Sequence, residues 1–295
     1  MPESRPLYLL DTSAFRAISN KVLEALCDQG LCLYTSPYVF WELLSHLDEG
    51  NFDRCKGLLM KFKYVEVLDD PQAEIETRLM PENLRLQERV PDPDLILATL
   101  GALQASDSLS SFYSSYIRDS RDRLRQISGC AAEVRKELEE KENKYVDYIT
   151  NIIKAFSSGS VRVGTDKDHH RAILALVNGH VINMIERGAS EDGLLEQVVN
   201  DTYIYHSHVF QNALRYFRTG AMNLPGNDYE DGCICLHLKL NVPYHLVTND
   251  GNLSVSLNET IALIKGLNDP YFKTELKVYD ASYLECLSKS QSRAY

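Results

Sequence analysis

The stretch "NDYEDGCICLHL" (227–238) sets three carboxylates, Asp228, Glu230 and Asp231, within four positions, immediately ahead of an apolar run. Two chemistries use such a cluster. Acidic side chains cap the free N–H groups of a first helical turn and favour the positive end of its dipole. They also supply the hard oxygen ligands that Mg2+ or Mn2+ prefer. Three further acids bear on the choice: Asp11 in "YLLDTS", Glu42 in "SPYVFWELL" and Asp250 in "LVTND". Taken singly, Asp11 reads equally as a helix cap, Glu42 as a solvent-facing residue and Asp250, before Gly251, as an ordinary turn residue. Asp11, Glu42, Asp231 and Asp250 are separated by 31, 189 and 19 positions, so only folding brings them together.

The elements that must position these acids follow from hydrophobic period and punctuation. "PLYLL" (6–10) reads as a short buried strand running straight into Asp11. Helical spacing over 14–30 places Phe15, Ile18, Val22, Leu23 and Leu26 on one side, with Gly30 as the stop. "LCLYT" (31–35) is a second strand, followed by a helix over 36–50 with Ser36 as cap and Pro37 in its first turn. "YVEVL" (64–68), "YHLVT" (244–248) and "ELKVY" (275–279) are further strands, with helices over 231–240 and 256–267. Strands alternating with helices indicate a parallel sheet covered on both faces. The middle, about 72–219, carries almost no strand signal, and Ser128–Gly129 is a candidate break in its long helical stretch. The expected organisation is a discontinuous α/β domain, 1–100 and 221–295, carrying an all-helical insertion, 101–220.

In an open parallel sheet, ligands bind outside the carboxyl ends of the strands. Asp11 directly follows the first strand and Asp250 lies just past the fourth. Glu42 is in the second turn of the helix after the second strand, and Asp231 opens the helix leading into the fourth. All four therefore fall on one rim of one expected sheet.

"YLLDTSAF" (8–15), "SPYVFWELL" (36–44), "DGCICLHLKLNVPYHLVTND" (231–250) and "LKVYDASYL" (276–284) resemble, in that order, the PIN-domain nucleases. Asp11, Glu42, Asp231 and Asp250 match the family's four acidic positions. Ser13 and Thr248 match the small hydroxyl residues that brace them. The resemblance covers roughly residues 5–70 and 225–285 and not the helical middle. It implies a five-stranded PIN-like sheet and an endoribonuclease that hydrolyses phosphodiesters with Mg2+ or Mn2+ and leaves a 5′-phosphate. Asp11, Asp231 and Asp250 are the expected metal ligands. Glu42 is expected to position a water or complete a second site, and Asp228 to substitute for Asp231 or add a fifth ligand. RNA is the expected substrate, with DNA open, and the insertion is a candidate surface for a homodimer or a protein regulator. Two other classes stand beside this one. One is a catalytically inactive PIN-like scaffold binding a protein partner through the insertion. The other is a phosphotransferase or phosphatase with an Asp nucleophile, which commonly wants a second acid where Ser13 stands.

Composition sets the outer bounds. The chain has 295 residues, 44% of them hydrophobic and 25% charged, an ordinary globular balance. No apolar run is long enough to cross a bilayer, and "MPESRPLYLLDTS" lacks a signal-peptide pattern, so a cytoplasmic protein with no membrane partner is expected. Seven scattered cysteines fit reduced thiols. A net charge of −11 means that a nucleic-acid substrate must meet a local basic patch or metal ions, not a basic molecule. His206 and His208 read as surface or helix-packing residues, "DKDHH" (166–170) as a polar helix start and Phe112, Tyr113 and Tyr116 as packing anchors. Arg118, Arg121, Arg123 and Arg125, interleaved with Asp119 and Asp122, read as a salt-bridged helix surface.

Overall fold

A computed structural model describes residues 6–85, 93–119, 121–220, 228–269 and 272–290. Residues 1–5 of the N-terminal stretch, and the 221–227 segment that opens the second part of the expected α/β domain, lie outside the described residues. Five strands, β1 (Leu7–Leu10), β2 (Leu33–Thr35), β3 (Glu66–Val67), β6 (Tyr244–Val247) and β7 (Lys277–Tyr279), form one all-parallel sheet in the order β3-β2-β1-β6-β7. The chain builds outward from β1 in one direction and then, from β6, in the other. That reversal places the topological switch point between β1 and β6, whose last paired residues are Leu10 and Val247.

Local chemistry starts the helices around this sheet. Asp11 caps α1 (Thr12–Ala17) and Ser19 caps α2 (Asn20–Asp28). Ser36 caps α3 (Pro37–Ser45), with Pro37 in the first turn as expected. The helix expected over 14–30 is thus two helices. Ser19 accepts from the Val22 N–H and restarts the chain, and the carbonyls ending α1 turn to the buried Lys61 ammonium, at 2.7 Å from Phe15 O and 2.6 Å from Ile18 O. Then come α4 (Phe52–Leu59), α5 (Pro71–Leu79), α6 (Pro93–Ala105) and α7 (Leu109–Ser114).

The middle of the chain departs from expectation at one place. Two short strands, β4 (Tyr116–Arg118) and β5 (Leu124–Gln126), pair antiparallel in place of the expected helix. The turn is built on Asp119, whose carboxylate accepts from the Arg121 and Arg123 amides, and on Asp122 at φ +58, a left-handed position that Asp tolerates. The ion pairs expected there are present, Arg123–Asp119 and Arg118–Asp122, but they brace a turn. Phe112 is fully buried, whereas Tyr116 is exposed. The long helix α8 (Ile127–Ser157) begins directly after β5, so Ser128 and Gly129 stand in its first turn and break nothing.

Helices α9 (Asp166–Glu186), opened by a Thr165/Asp168 capping box, and α10 (Leu194–Thr219) complete the middle. Helix α10 packs on α8 and α9 and also on α11 (Asp228–Leu236) and α12 (Gly251–Leu267). One continuous apolar core accordingly joins Leu9 and Leu246 of the sheet to Phe210 of α10 and Leu257 of α12. Helix α13 (Ala281–Ser290) follows β7 and packs on α2. Among the described residues no helix is long and apolar enough to cross a membrane, and the seven cysteines are free thiols.

Candidate functional site

Asp11 is the first residue past β1, and its buried carboxylate sits at the switch point. Its amide donates to Val247 O of the neighbouring strand, and its Oδ1 accepts from the Ala14 amide at 2.7 Å, capping α1. Ser13 Oγ donates to the same carboxylate at 2.9 Å and Thr248 Oγ1 at 2.5 Å. The two hydroxyls tie the β1 and β6 edges together. Ser13 Oγ also accepts the Asn249 amide at 2.7 Å, and Thr248 Oγ1 accepts the Asp250 amide at 2.9 Å. Asp250 in turn caps α12 through the Leu253 amide, which lets that helix begin at Gly251, five residues before the expected start. Asp11 and Asp250 thus stand one residue's hydrogen bonds apart, joined through Thr248.

Glu42, in the second turn of α3, faces the same edge and not open water. Its carboxylate accepts from Thr12 Oγ1 and, at 3.3 Å, from Arg16 Nη2. Helix α11 starts at Asp228, three residues earlier than expected, so Asp228, Glu230 and Asp231 all lie in its first turn. Asp228 is buried and accepts from Tyr216 Oη at 2.5 Å, with Arg215 3.9 Å away. The Asp231 carboxylate has no hydrogen-bond donor among the described residues.

The electrostatics record how closely these groups gather. Burial, and then repulsion from Asp250, Asp11, Asp228 and Glu42 in that order, pushes the Asp231 carboxyl up to about 8. Burial raises Asp11 to about 6, against the lowering by its Thr248, Ala14 and Ser13 hydrogen bonds and with a further push from Asp250. Glu230 reaches about 8 through burial and the neighbouring Glu42 and Glu142. Asp228 is raised by burial, opposed by the Tyr216 hydrogen bond and Arg215.

Every acid on the expected rim therefore falls within electrostatic reach of Asp231. As the side chains stand, no three His, Cys, Asp or Glu among the described residues form a ready metal-ligand set. Asp11, Glu42, Asp228 and Asp250 each direct oxygen atoms to internal donors. The donor set itself is all carboxylate, and the half-buried Asp231 lacks a donor among the described residues while four acids repel it. All-carboxylate donors are the chemistry a hard divalent cation prefers, but Asp11, Asp231 and Asp250 are not gathered into a ligand set as they stand.

Sequence reasoning missed Thr12, Arg16, Arg215, Tyr216 and Glu142. Thr12 belonged to a motif already in view. The others sit on helix faces whose partners only tertiary packing reveals.

Beside this edge lies a cleft of about 800 Å3 lined by Arg16, Lys21, Arg54 and Lys61, with no acid in its lining. Its positive character runs against the net charge of the chain. Comparison of the chain with known protein families, with curated proteins and with solved structures returns no match.

Proposed function

We propose that the chain is a PIN-like, Mg2+- or Mn2+-dependent endoribonuclease. The reading rests above all on one observation: Asp11 and Asp250, 239 positions apart in the chain, are joined through Thr248 at the ends of β1 and β6, the switch point of a parallel sheet. A divalent ion held there would acidify a water near neutral pH and offset charge building on a phosphoryl oxygen. The chain's own residues perform the rest. Ser13 and Thr248 hold the Asp11 carboxylate in one orientation, the task of outer partners at a metal site. Asp231, which has no internal donor among the described residues, would be displaced from its protonated form by the ion and would hold it together with Asp11 and Asp250. Arg16 fixes Glu42 and marks where the edge passes into the cationic cleft, whose Lys21 and Arg54 suit a phosphate backbone.

The test is cleavage of a single-stranded RNA oligonucleotide with millimolar Mn2+. Wild type is expected to yield fragments bearing a 5′-phosphate, and Asp231→Asn none. Mn2+ is also expected to raise the melting temperature of wild type and much less that of Asp231→Asn. No cleavage together with equal thermal shifts would leave the inactive scaffold as the reading.

A further inference from the structure

A second cavity, of about 530 Å3, opens between α5, α8, α9 and α10, with Leu236 at the end of α11 on its wall. We propose that it is a binding site for an uncharged heteroaromatic molecule of nucleobase or nucleoside size. The proposal is independent of the nuclease reading.

His206 is the first ground for it. The residue is 3% exposed, lines the cavity, and neither ring nitrogen has a hydrogen-bond partner. A neutral imidazole carries one donor and one acceptor, and burying both unmet is costly. His180 and Tyr205 stack edge-on to the ring at centroid distances of 5.7 and 5.0 Å. Burial, and then repulsion from His180, holds His206 neutral down to about pH 3. The two nitrogens point away from each other, so the edge of a flat ring in the cavity would meet one of them with a matching donor or acceptor after a small shift of the side chain.

Charge and shape narrow the class. The acid and base in the lining, Glu76 and Arg187, are bonded to each other at 2.7 Å, so the lining has no net charge to attract an ion. Aromatic walls from Tyr148, Tyr205 and His180 suit a planar guest. The volume is that of a small-molecule site. Gly179 opens one side: in mid-helix, a Cβ there would meet nothing within 4 Å. Tyr205 also touches α11 at Gly232, where a Cβ would come 3.3 Å from its ring, so a guest would bear on the helix that carries Asp228 and Asp231.

The experiment titrates the whole protein, without metal, with adenosine, guanosine, cytidine and uridine separately, reading heat and melting temperature. At least one nucleoside is expected to bind and to raise the melting temperature. Gly179→Leu, which fills open space with a better helix former, should melt no lower than wild type and should weaken binding about tenfold or more. His206→Phe keeps the ring and removes both nitrogens, and should weaken binding similarly while the protein stays folded. Absence of binding by all four nucleosides would overturn the proposal. So would binding unchanged by Gly179→Leu, or a nucleoside monophosphate that binds more tightly than its nucleoside.

Discussion

At the residue scale, Asp231 and Asp11 are both clustered carboxylates, but replacing them has opposite consequences. Asp231 lacks a donor and is repelled by four acids, so Asp231→Asn removes a cost and should stabilise the metal-free protein. Asp11→Ala deletes the cap of α1 and should destabilise by about 1 kcal/mol or more. The pH dependence has one sign for both, since Asp11 is raised as well, to about 6, and Asp231 further. The native Asp231 and Glu230 carboxyls titrate near 8, whereas unfolded carboxyls titrate near about 4. The native state then binds more protons than the unfolded state between those values, and stability falls as pH rises through that window. Buried His206, His208 and His237, each lowered to about 3 by burial, act oppositely: their contribution is complete above about 6.5 and is lost as pH falls. Between about pH 6.5 and 8 the acids are left alone. Urea midpoints of the metal-free wild type should decline there by at most about 2 kcal/mol per group, and Asp231→Asn should flatten the decline. A midpoint insensitive to pH in both proteins would contradict the crowding. The acids were legible in the sequence because type, motif and strand-edge position coincide. Their neutral and cationic partners were not, because Tyr216 and Arg16 carry no local sign of the carboxylates they meet.

At the element scale, strands and caps were readable wherever a side chain settles the geometry locally. Ser36 with Pro37 announces α3, and the apolar runs at 7–10 and 244–247 announce β1 and β6. The break between α1 and α2 was not readable, because what ends α1 is Lys61, more than forty positions away. The pairing of β4 with β5 was hidden for another reason. Interleaved Arg and Asp satisfy helical i,i+4 pairing equally well, and the backbone hydrogen bonds to Asp119 decide the matter. Lys61 offers the element-scale test. Burial lowers the pKa of its ammonium, which nevertheless satisfies the Phe15 and Ile18 carbonyls. Lys61→Met keeps the apolar stem and strands those oxygens. Its urea midpoint, followed through the single buried Trp41, should report a loss of about 2–4 kcal/mol. A loss near zero would mean that the first helix ends for reasons of its own.

At the scale of the whole molecule, the proposed RNA substrate would require a chain of net charge −11 to gather positive charge in one place. The cleft beside Glu42 supplies that place, yet its four cations are not equivalent. Lys61 is held by backbone carbonyls and Arg16 by Glu42, whereas Lys21 and Arg54 are exposed and, among the described residues, in no ion pair. Burial and then Asp48 raise the Cys55 thiol while Arg54 and Arg16 both lower it, so the two guanidiniums share one neighbourhood with that acid. Two free cations bordering an acidic edge would anchor a strand's phosphates while the rest of the surface repels it. The consequence is measurable in Asp231→Asn, which the proposed reading expects to bind without cleaving. The affinity of a single-stranded RNA should fall with salt, and Lys21→Gln with Arg54→Gln should reduce the log–log slope by about 1.4, about 0.7 for each phosphate no longer neutralised. The same pair of changes in wild type should raise KM for RNA and leave kcat largely intact, because neither residue touches the acids around Asp231. An unchanged slope would place the strand elsewhere on the molecule, even if the acidic edge proves to cut.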